Sequence, residues 1–264
     1  MTEAYPRTAA VSPRVQVRSS TGSTNADVAA AVAADPLGWP HLSLLLTHDQ
    51  RAGRGRLDRS WTAPPGTALA VSVLVRVADV PPAARGWIPL IAGAAMTRAI
   101  RAQLGGSGHS AALKWPNDVL VDGGKICGIL AEVVAPDAVV IGSGINTTMA
   151  RVDLPVVTAT SFAAIGRTVD EDRLLADYLV ALDEQLTALA RSGGRAAEAG
   201  VRGEVEALCA TIGADVRVSM PDGSTLEGRA QRLDDEGRLV VQSGATEIAV
   251  SAGDVVHVRG AAPL

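Results

Sequence analysis

From Gln50 to Trp61 the chain reads Gln-Arg-Ala-Gly-Arg-Gly-Arg-Leu-Asp-Arg-Ser-Trp. Arg51, Arg54, Arg56 and Arg59 repel one another unless an anion sits among them. Gly53 and Gly55 leave the backbone free to wrap that anion, and guanidinium forks with free amides suit phosphate or carboxylate. The plainer reading is a solvated basic loop. A dinucleotide fingerprint fails, because Asp58 stands where G-x-G-x-x-G needs its third glycine and no helix is predicted to follow.

Three further constellations carry chemistry. Lys114-Trp115-Pro116-Asn117-Asp118 offers a cation for phosphate and a carboxylate that can hold hydrated magnesium, although Pro-Asn-Asp is also an ordinary turn. Lys125 stands at the mouth of the apolar run 126–133, where an ammonium can neutralise charge developing in acyl-phosphate chemistry or simply point to water. Gly128, inside that run, suggests close approach of a ligand or another backbone. Gly142-Ser143-Gly144-Ile145-Asn146 reads either as a loop ending a strand or as room for a ligand beside Asn146.

Periodicity predicts the elements that position these groups. The first 15 or so residues look like a loose arm. Ser23 or Thr24 caps an alanine-rich helix over 25–35. Apolar runs at 42–47 and 67–77 read as strands, and 87–104 as a helix stopped by Gly105-Gly106. Four short apolar runs follow, 111–114, 119–121, 126–133 and 138–141, separated by turn signals that favour an antiparallel or mixed sheet. Residues 171–189 form the strongest amphipathic helix, with a second helical stretch at 195–209. Beyond 212, five short β-rich runs with turns such as Pro221-Asp222-Gly223 and Ser251-Ala252-Gly253-Asp254 read as a compact SH3-like barrel. The boundary falls near 210, giving domains 1–210 and 211–264.

Composition narrows the function classes. The net charge of -4 disfavours a protein that holds nucleic acid through phosphates. Two isolated cysteines, Cys127 and Cys209, give no zinc spacing and suit a reducing cytosol. No signal-peptide core and no long apolar run are visible, so a soluble cytoplasmic protein is expected.

Taken in order, Ser-Thr-Asn at 23–25, Gly-Arg-Gly-Arg at 53–56, Lys-Trp-Pro-Asn-Asp at 114–118, Gly-Lys-x-x-Gly-Ile-Leu at 124–130 and Gly-x-Gly-Ile-Asn at 142–146 resemble the biotin–protein ligase family. The resemblance extends from about Val15 to Val258. It implies an α+β fold in which a mixed sheet flanked by helices, of the class II synthetase-like type, precedes the small barrel. It also implies synthesis of biotinyl-5′-adenylate from biotin and MgATP, then transfer of biotin to one lysine of a biotin carboxyl carrier domain of acyl-CoA carboxylases.

By the same resemblance Ser23, Thr24, Asn25 and Gln50 meet the biotin head group, while Arg54, Gly55 and Arg56 close over biotin and the adenylate phosphate. Gly128 flanks biotin, Arg59 assists the ATP phosphates and Trp61 stacks on adenine. Lys125 is the central catalytic cation, aided by Arg56. Lys114 and Asp118 serve phosphate and magnesium, Asn117 and Asn146 contact nucleotide, and 147–160 form a mobile lid. The C-terminal barrel is expected to matter more for carrier transfer than for building the pocket.

Asp58 departs from the glycine common in the family, and pairing with Arg56 or Arg59 is expected. Only about 15 residues precede the catalytic region, so no helix-turn-helix domain and no DNA-binding regulation are expected; with no long apolar run, no membrane partner is expected either. A monomer or weak homodimer is the expected state. The rivals are a lipoate–protein ligase and a non-enzymatic biotin sensor.

Overall fold

The computed structural model describes residues 4–57, 59–220, 222–251 and 253–258. Asp58, Pro221 and Ala252 therefore lie outside the described residues.

A mixed sheet of seven strands forms the larger part. Its strands are β1 (Val15–Arg18), β2 (Leu44–Thr47), β5 (Ala68–Arg76), β6 (Ala111–Lys114), β7 (Asp118–Val121), β8 (Gly124–Ala135) and β9 (Ala138–Asn146), in the order β1-β2-β5-β9-β8-β7-β6. Only β1 and β2 run parallel; every other neighbouring pair is antiparallel. Side-chain alternation assigns the two faces. Leu44, Leu46, Leu69, Val71, Val73 and Val75 join the main core, under α3 (Ile88–Leu104) and α4 (Glu171–Arg191). Leu45, Leu74, Ala138 and Val140 turn to the other face, where Val28 and Val32 of α2 (Thr24–Ala34) cover them. Both faces are thus roofed by helices, which is why β5 is buried along nearly its whole length.

Ser23 caps α2 by accepting from the Ala26 backbone N–H. The loop rich in arginine folds back as a two-stranded hairpin, β3 (Gly53–Arg54) with β4 (Ser60–Trp61). Residues 142–146, open between loop and ligand room on sequence grounds, continue β9 and pair with β5 as far as Asn146.

Three expectations need correction. The first residues are not a loose arm: α1 (Pro6–Val11) lies on the start of α4, and β1 extends the sheet. Thr8, fully buried, donates from its backbone N–H and its hydroxyl to Asp172 Oδ1, at 2.8 and 2.9 Å, while Arg7 pairs with Asp170 at 2.7 Å. Six residues are too few to show a helical period, and the partners lie more than 160 positions away.

The stretch 195–209 is helical only in α5 (Val201–Leu208), because Gly200 adopts a positive φ and 196–200 form turns. Finally, the C-terminal strands β10 (Asp215–Ser219), β11 (Thr225–Leu233), β12 (Leu239–Ser243), β13 (Thr246–Val250) and β14 (Asp254–His257) form an antiparallel sheet in the order β13-β12-β11-β10-β14. Its end strands do not pair, so the sheet is not a closed barrel. Its buried side chains, Val216, Val218, Leu239 and Val241 among them, belong to the same apolar core as α3 and β6. Trp87 Nε1 and Trp115 Nε1 donate to the carbonyls of Asp235 and Gly237 in the turn between β11 and β12.

Candidate active site

Where α2 stops covering the sheet, the even-numbered face of β5, β9 and β8 is left open, and the hairpin β3–β4 leans over it. The cavity between them measures about 170 Å³. Its lining includes Ser23, Thr24, Asn25, Gln50, Arg54, Gly55, Arg56, Arg59, Trp61, Asn117, Asp118, Lys125 and Gly128. Four of the five sequence motifs meet here in full or in part, and the fifth contributes its glycines, Gly142 and Gly144.

One end is neutral and polar. Gln50 Oε1 accepts from the Thr24 backbone N–H (2.8 Å) and hydroxyl (3.0 Å). The buried Ser72 hydroxyl donates to Asn25 Oδ1 (2.5 Å) and stands 2.7 Å from Thr24 Oγ1. The Asn25 amide lies against Gly142, where a β-carbon would collide with it. Trp61 lies flat on Gly144 in the same way; a β-carbon there would sit 2.6 Å from the indole. Both glycines are therefore required by close approach of side chains from other elements.

The other end is charged. Strict alternation would send Lys125 to the face opposite Gly128, but a bulge skips Ile126 in the β7–β8 ladder, pairing Cys127 with Val119 and Lys125 with Leu120. The extra residue brings Lys125 onto the cavity face. Asp118, directly across from Gly128, receives Lys125 Nζ at 2.6 Å, and the ammonium passes 3.1 Å from where a Gly128 β-carbon would be.

Arg56 reaches Asn117 Oδ1 at 3.1 Å, and burial is the main influence pushing its guanidinium below the ordinary arginine value, with Asp254 and Asp118 opposing. It still carries its charge at neutral pH. Arg59 pairs with Asp254 of β14, and Arg54 pairs with Glu132 of β8 at 3.0 Å. Cys127, beside this cluster, is buried and its thiol is pushed up to about 12 by desolvation, so it is no nucleophile.

Two expected residues lie outside the lining. Lys114, at the end of β6, pairs in register with Asp118; its charge and, more strongly, burial lower the His257 imidazole of the C-terminal sheet. Asn146 donates to the Thr160 carbonyl at 2.9 Å, tying down the end of the segment 147–160. That segment also bonds Lys125 through Lys125 N–H to Thr158 O and Thr160 N–H to Lys125 O.

The sequence reading passed over Ser72, Glu132 and Asp254. Polar Ser72 inside an apolar strand and Glu132 in the Gly128, Leu130, Glu132 alternation were available signals. Asp254 had none, because it arrives from 195 positions beyond its arginine. It brings the C-terminal sheet to the edge of the cavity lining.

Comparison with known proteins bears on what this cavity serves. Residues 23–146 match the Biotin/lipoate A/B protein ligase family, and residues 211–258 match the Biotin protein ligase C terminal domain. A Mycobacterium tuberculosis protein named biotin–[acetyl-CoA-carboxylase] ligase is 40% identical over 249 residues, 93% of this chain and 90% of its own length. The chain belongs to the biotin–protein ligase family.

Within this ligase family, the Bacillus subtilis bifunctional ligase/repressor BirA is 29% identical over 77% of this chain and 62% of its own length. A biotin–protein ligase of Aquifex aeolicus, solved in complex with biotin and ATP, shares the fold with a TM-score of 0.75 and 21% identity over 94% of this chain and 99% of its own. Membership favours the biotin ligase reading over the lipoate ligase and the non-enzymatic sensor. Among the described residues no helix is long and apolar enough to cross a membrane.

Proposed function

We propose that the cavity activates biotin with ATP and hands it to a lysine of a carboxylase carrier domain. One observation carries this reading: a neutral hydrogen-bonding pocket at Thr24, Asn25 and Gln50 opens into a cluster of Lys125, Arg54, Arg56 and Arg59. A ureido ring, with two N–H donors and one carbonyl acceptor, suits the first end. The second suits two anions that must react with each other.

In the first step a biotin carboxylate oxygen bonds to the α-phosphorus of ATP and pyrophosphate departs with the electrons of the broken P–O bond. Lys125 offsets the repulsion between carboxylate and phosphate, and it stabilises the charge that builds on the phosphoryl oxygens. Arg54, Arg56 and Arg59 hold phosphate oxygens, Asn117 contacts the nucleotide and Trp61 offers a face for adenine. In the second step the carrier amine attacks the acyl carbon, a proton leaves the nitrogen and AMP is released.

Magnesium fits as an ion that arrives with ATP. Asp118 supplies one carboxylate at the cavity edge, the pattern of nucleotide sites in which phosphates and water complete the shell. Among the described residues no group of three or more His, Cys, Asp or Glu gathers to hold a metal alone. Lys114 and Asn146 act from outside the cavity, through the C-terminal sheet and the 147–160 segment. That segment is a second lid beside the arginine hairpin, and β14 of the C-terminal sheet braces the hairpin through Asp254. The two buried free cysteines suit the cytoplasm.

The test is purified protein with labelled biotin, MgATP and a carboxylase carrier fragment. Labelling of the carrier, dependent on ATP and abolished by replacing its acceptor lysine with arginine, is the expected result. Labelling with lipoate and not with biotin would overturn the reading.

A further inference from the structure

Glu132 does not line the cavity, yet it grips two residues that do. Its Oε2 accepts from Asn25 Nδ2 at 2.7 Å, and its Oε1 pairs with Arg54 at 3.0 Å. Asn25 stands at the head of α2 and Arg54 on the hairpin; the residues leading into these elements are joined by Arg51 N–H to Thr21 O and Ala52 N–H to Gly22 O, and Glu132 adds a second tie further along the hairpin. A carboxylate only accepts hydrogen bonds, so Glu132, at 2.7 Å, together with the more distant Leu130 carbonyl at 3.3 Å, turns the Asn25 NH₂ backward and its carbonyl toward the Ser72 hydroxyl, which donates to it at 2.5 Å. The same group supplies the charge that holds the Arg54 fork over the cavity. A neutral side chain of the same shape does neither reliably: a glutamine amide can present its own NH₂ to Asn25, and it has no charge for Arg54.

We propose that Glu132 is a positioning residue that locks the hydrogen-bonding pole of the cavity to the arginine hairpin. Seating a head group on Asn25 and closing the hairpin then become one event, because both depend on the same carboxylate. The proposal rests on the biotin ligase reading for the identity of the ligand, but the coupling of hairpin to helix does not.

Two measurements separate these. In the first, Glu132→Gln and Arg54→Gln, singly and together, are compared with the parent in biotin-dependent pyrophosphate release. Glu132→Gln should raise KM for biotin about 10-fold while changing kcat by less than about 3-fold, the pattern of lost ground-state binding. The double variant should fall short of the product of the two single effects, because the Glu132–Arg54 pair is lost in both, although Glu132 also holds Asn25 and Arg54 also meets phosphate. Glu132→Asp, which keeps the charge on a shorter arm, should recover part of the loss. An unchanged KM in Glu132→Gln, or effects that multiply in the double variant, would overturn the proposal.

The second measurement follows amide hydrogen exchange of residues 53–61 in the protein without substrates, alongside its thermal unfolding. Faster exchange in Glu132→Gln at an unchanged unfolding temperature is expected. Exchange identical to the parent's would refute the coupling even if no activity were found. Absence of biotin-dependent pyrophosphate release in the parent, with hairpin exchange still accelerated in the variant, would reject the function and leave the coupling standing.

Discussion

Lys125 Nζ lies 2.6 Å from Asp118 Oδ1, across the strand pair from Gly128, which has no side chain to block the ammonium's path. The cation is aimed into the cavity by a carboxylate that an incoming substrate anion can replace as its nearest partner.

Lys125→Ala should therefore fold and lose most adenylate synthesis. Losing one preorganised charge typically costs about 2.7–4 kcal/mol, a factor of roughly 10² to 10³ in rate. Pyrophosphate release is the readout, and a parent-like rate would remove Lys125 from the centre of the mechanism.

Arg56 joins the hairpin to Asn117 in the turn between β6 and β7. Arg56→Gly removes a charge-assisted contact worth about 1.5–3 kcal/mol and adds a flexible residue. Adenylate should still form but leave faster, since closure loses binding energy. The variant should then biotinylate a bystander such as albumin. Unlabelled albumin together with a parent-like adenylate off-rate would show that the hairpin is no lid.

Gly144 lies under the Trp61 indole. Gly144→Ala should push the ring off the sheet and raise KM for ATP by about 10-fold, the scale of one lost base–aromatic stack, with KM for biotin much less affected. Steady-state kinetics with each substrate varied in turn checks this, and equal effects on both substrates would count against adenine stacking on Trp61.

The C-terminal sheet shares one core with α3 and β6, so deleting residues 211–264 should expose Leu113 and Trp115 and abolish cooperative unfolding. Asp254→Ala, by contrast, should fold normally and weaken retention of the adenylate by freeing Arg59. Calorimetry on both proteins and an adenylate off-rate on the point variant test the pair; a truncation that melts cooperatively would contradict the shared core.

His48 Nε2 is 2.9 Å from Glu171 Oε2, and this hydrogen bond raises the imidazole above its usual value against the opposing pull of partial burial. A raised folded-state value means that the protonated form gains on folding. The contribution is full below the unfolded value of about 6.5 and is lost as pH rises through the folded value. The gap in urea midpoint between the parent and His48→Gln should accordingly be larger at about pH 5.5 than at about pH 9, which bracket the transition. A gap independent of pH would mean that the contact adds no charge-dependent stability.

The chemical inventory and most elements could be read from the sequence because they are short-range properties. Alternation at 67–77, the glycine stop after 104 and the amphipathic period of 171–189 each involve neighbours within one or two turns or strand pairs. The motifs likewise carry their side chains within a few positions of one another, which suffices to say what chemistry Arg54, Asp118 and Lys125 are equipped for.

Tertiary structure decided how those groups meet. Alternation alone would send Lys125 to the wrong face of β8, and only the bulge at Ile126, which depends on pairing with β7, corrects it. Lys114 pairs in register with Asp118 yet is not part of the cavity lining, and its charge is felt at His257 of the C-terminal sheet, a neighbour that no local pattern announces. The carboxylates that hold the arginines, Glu132 and Asp254, come from 78 and 195 positions away. Nothing local encodes such pairings: they exist because packing a common apolar core brings distant strands within an ion pair's reach.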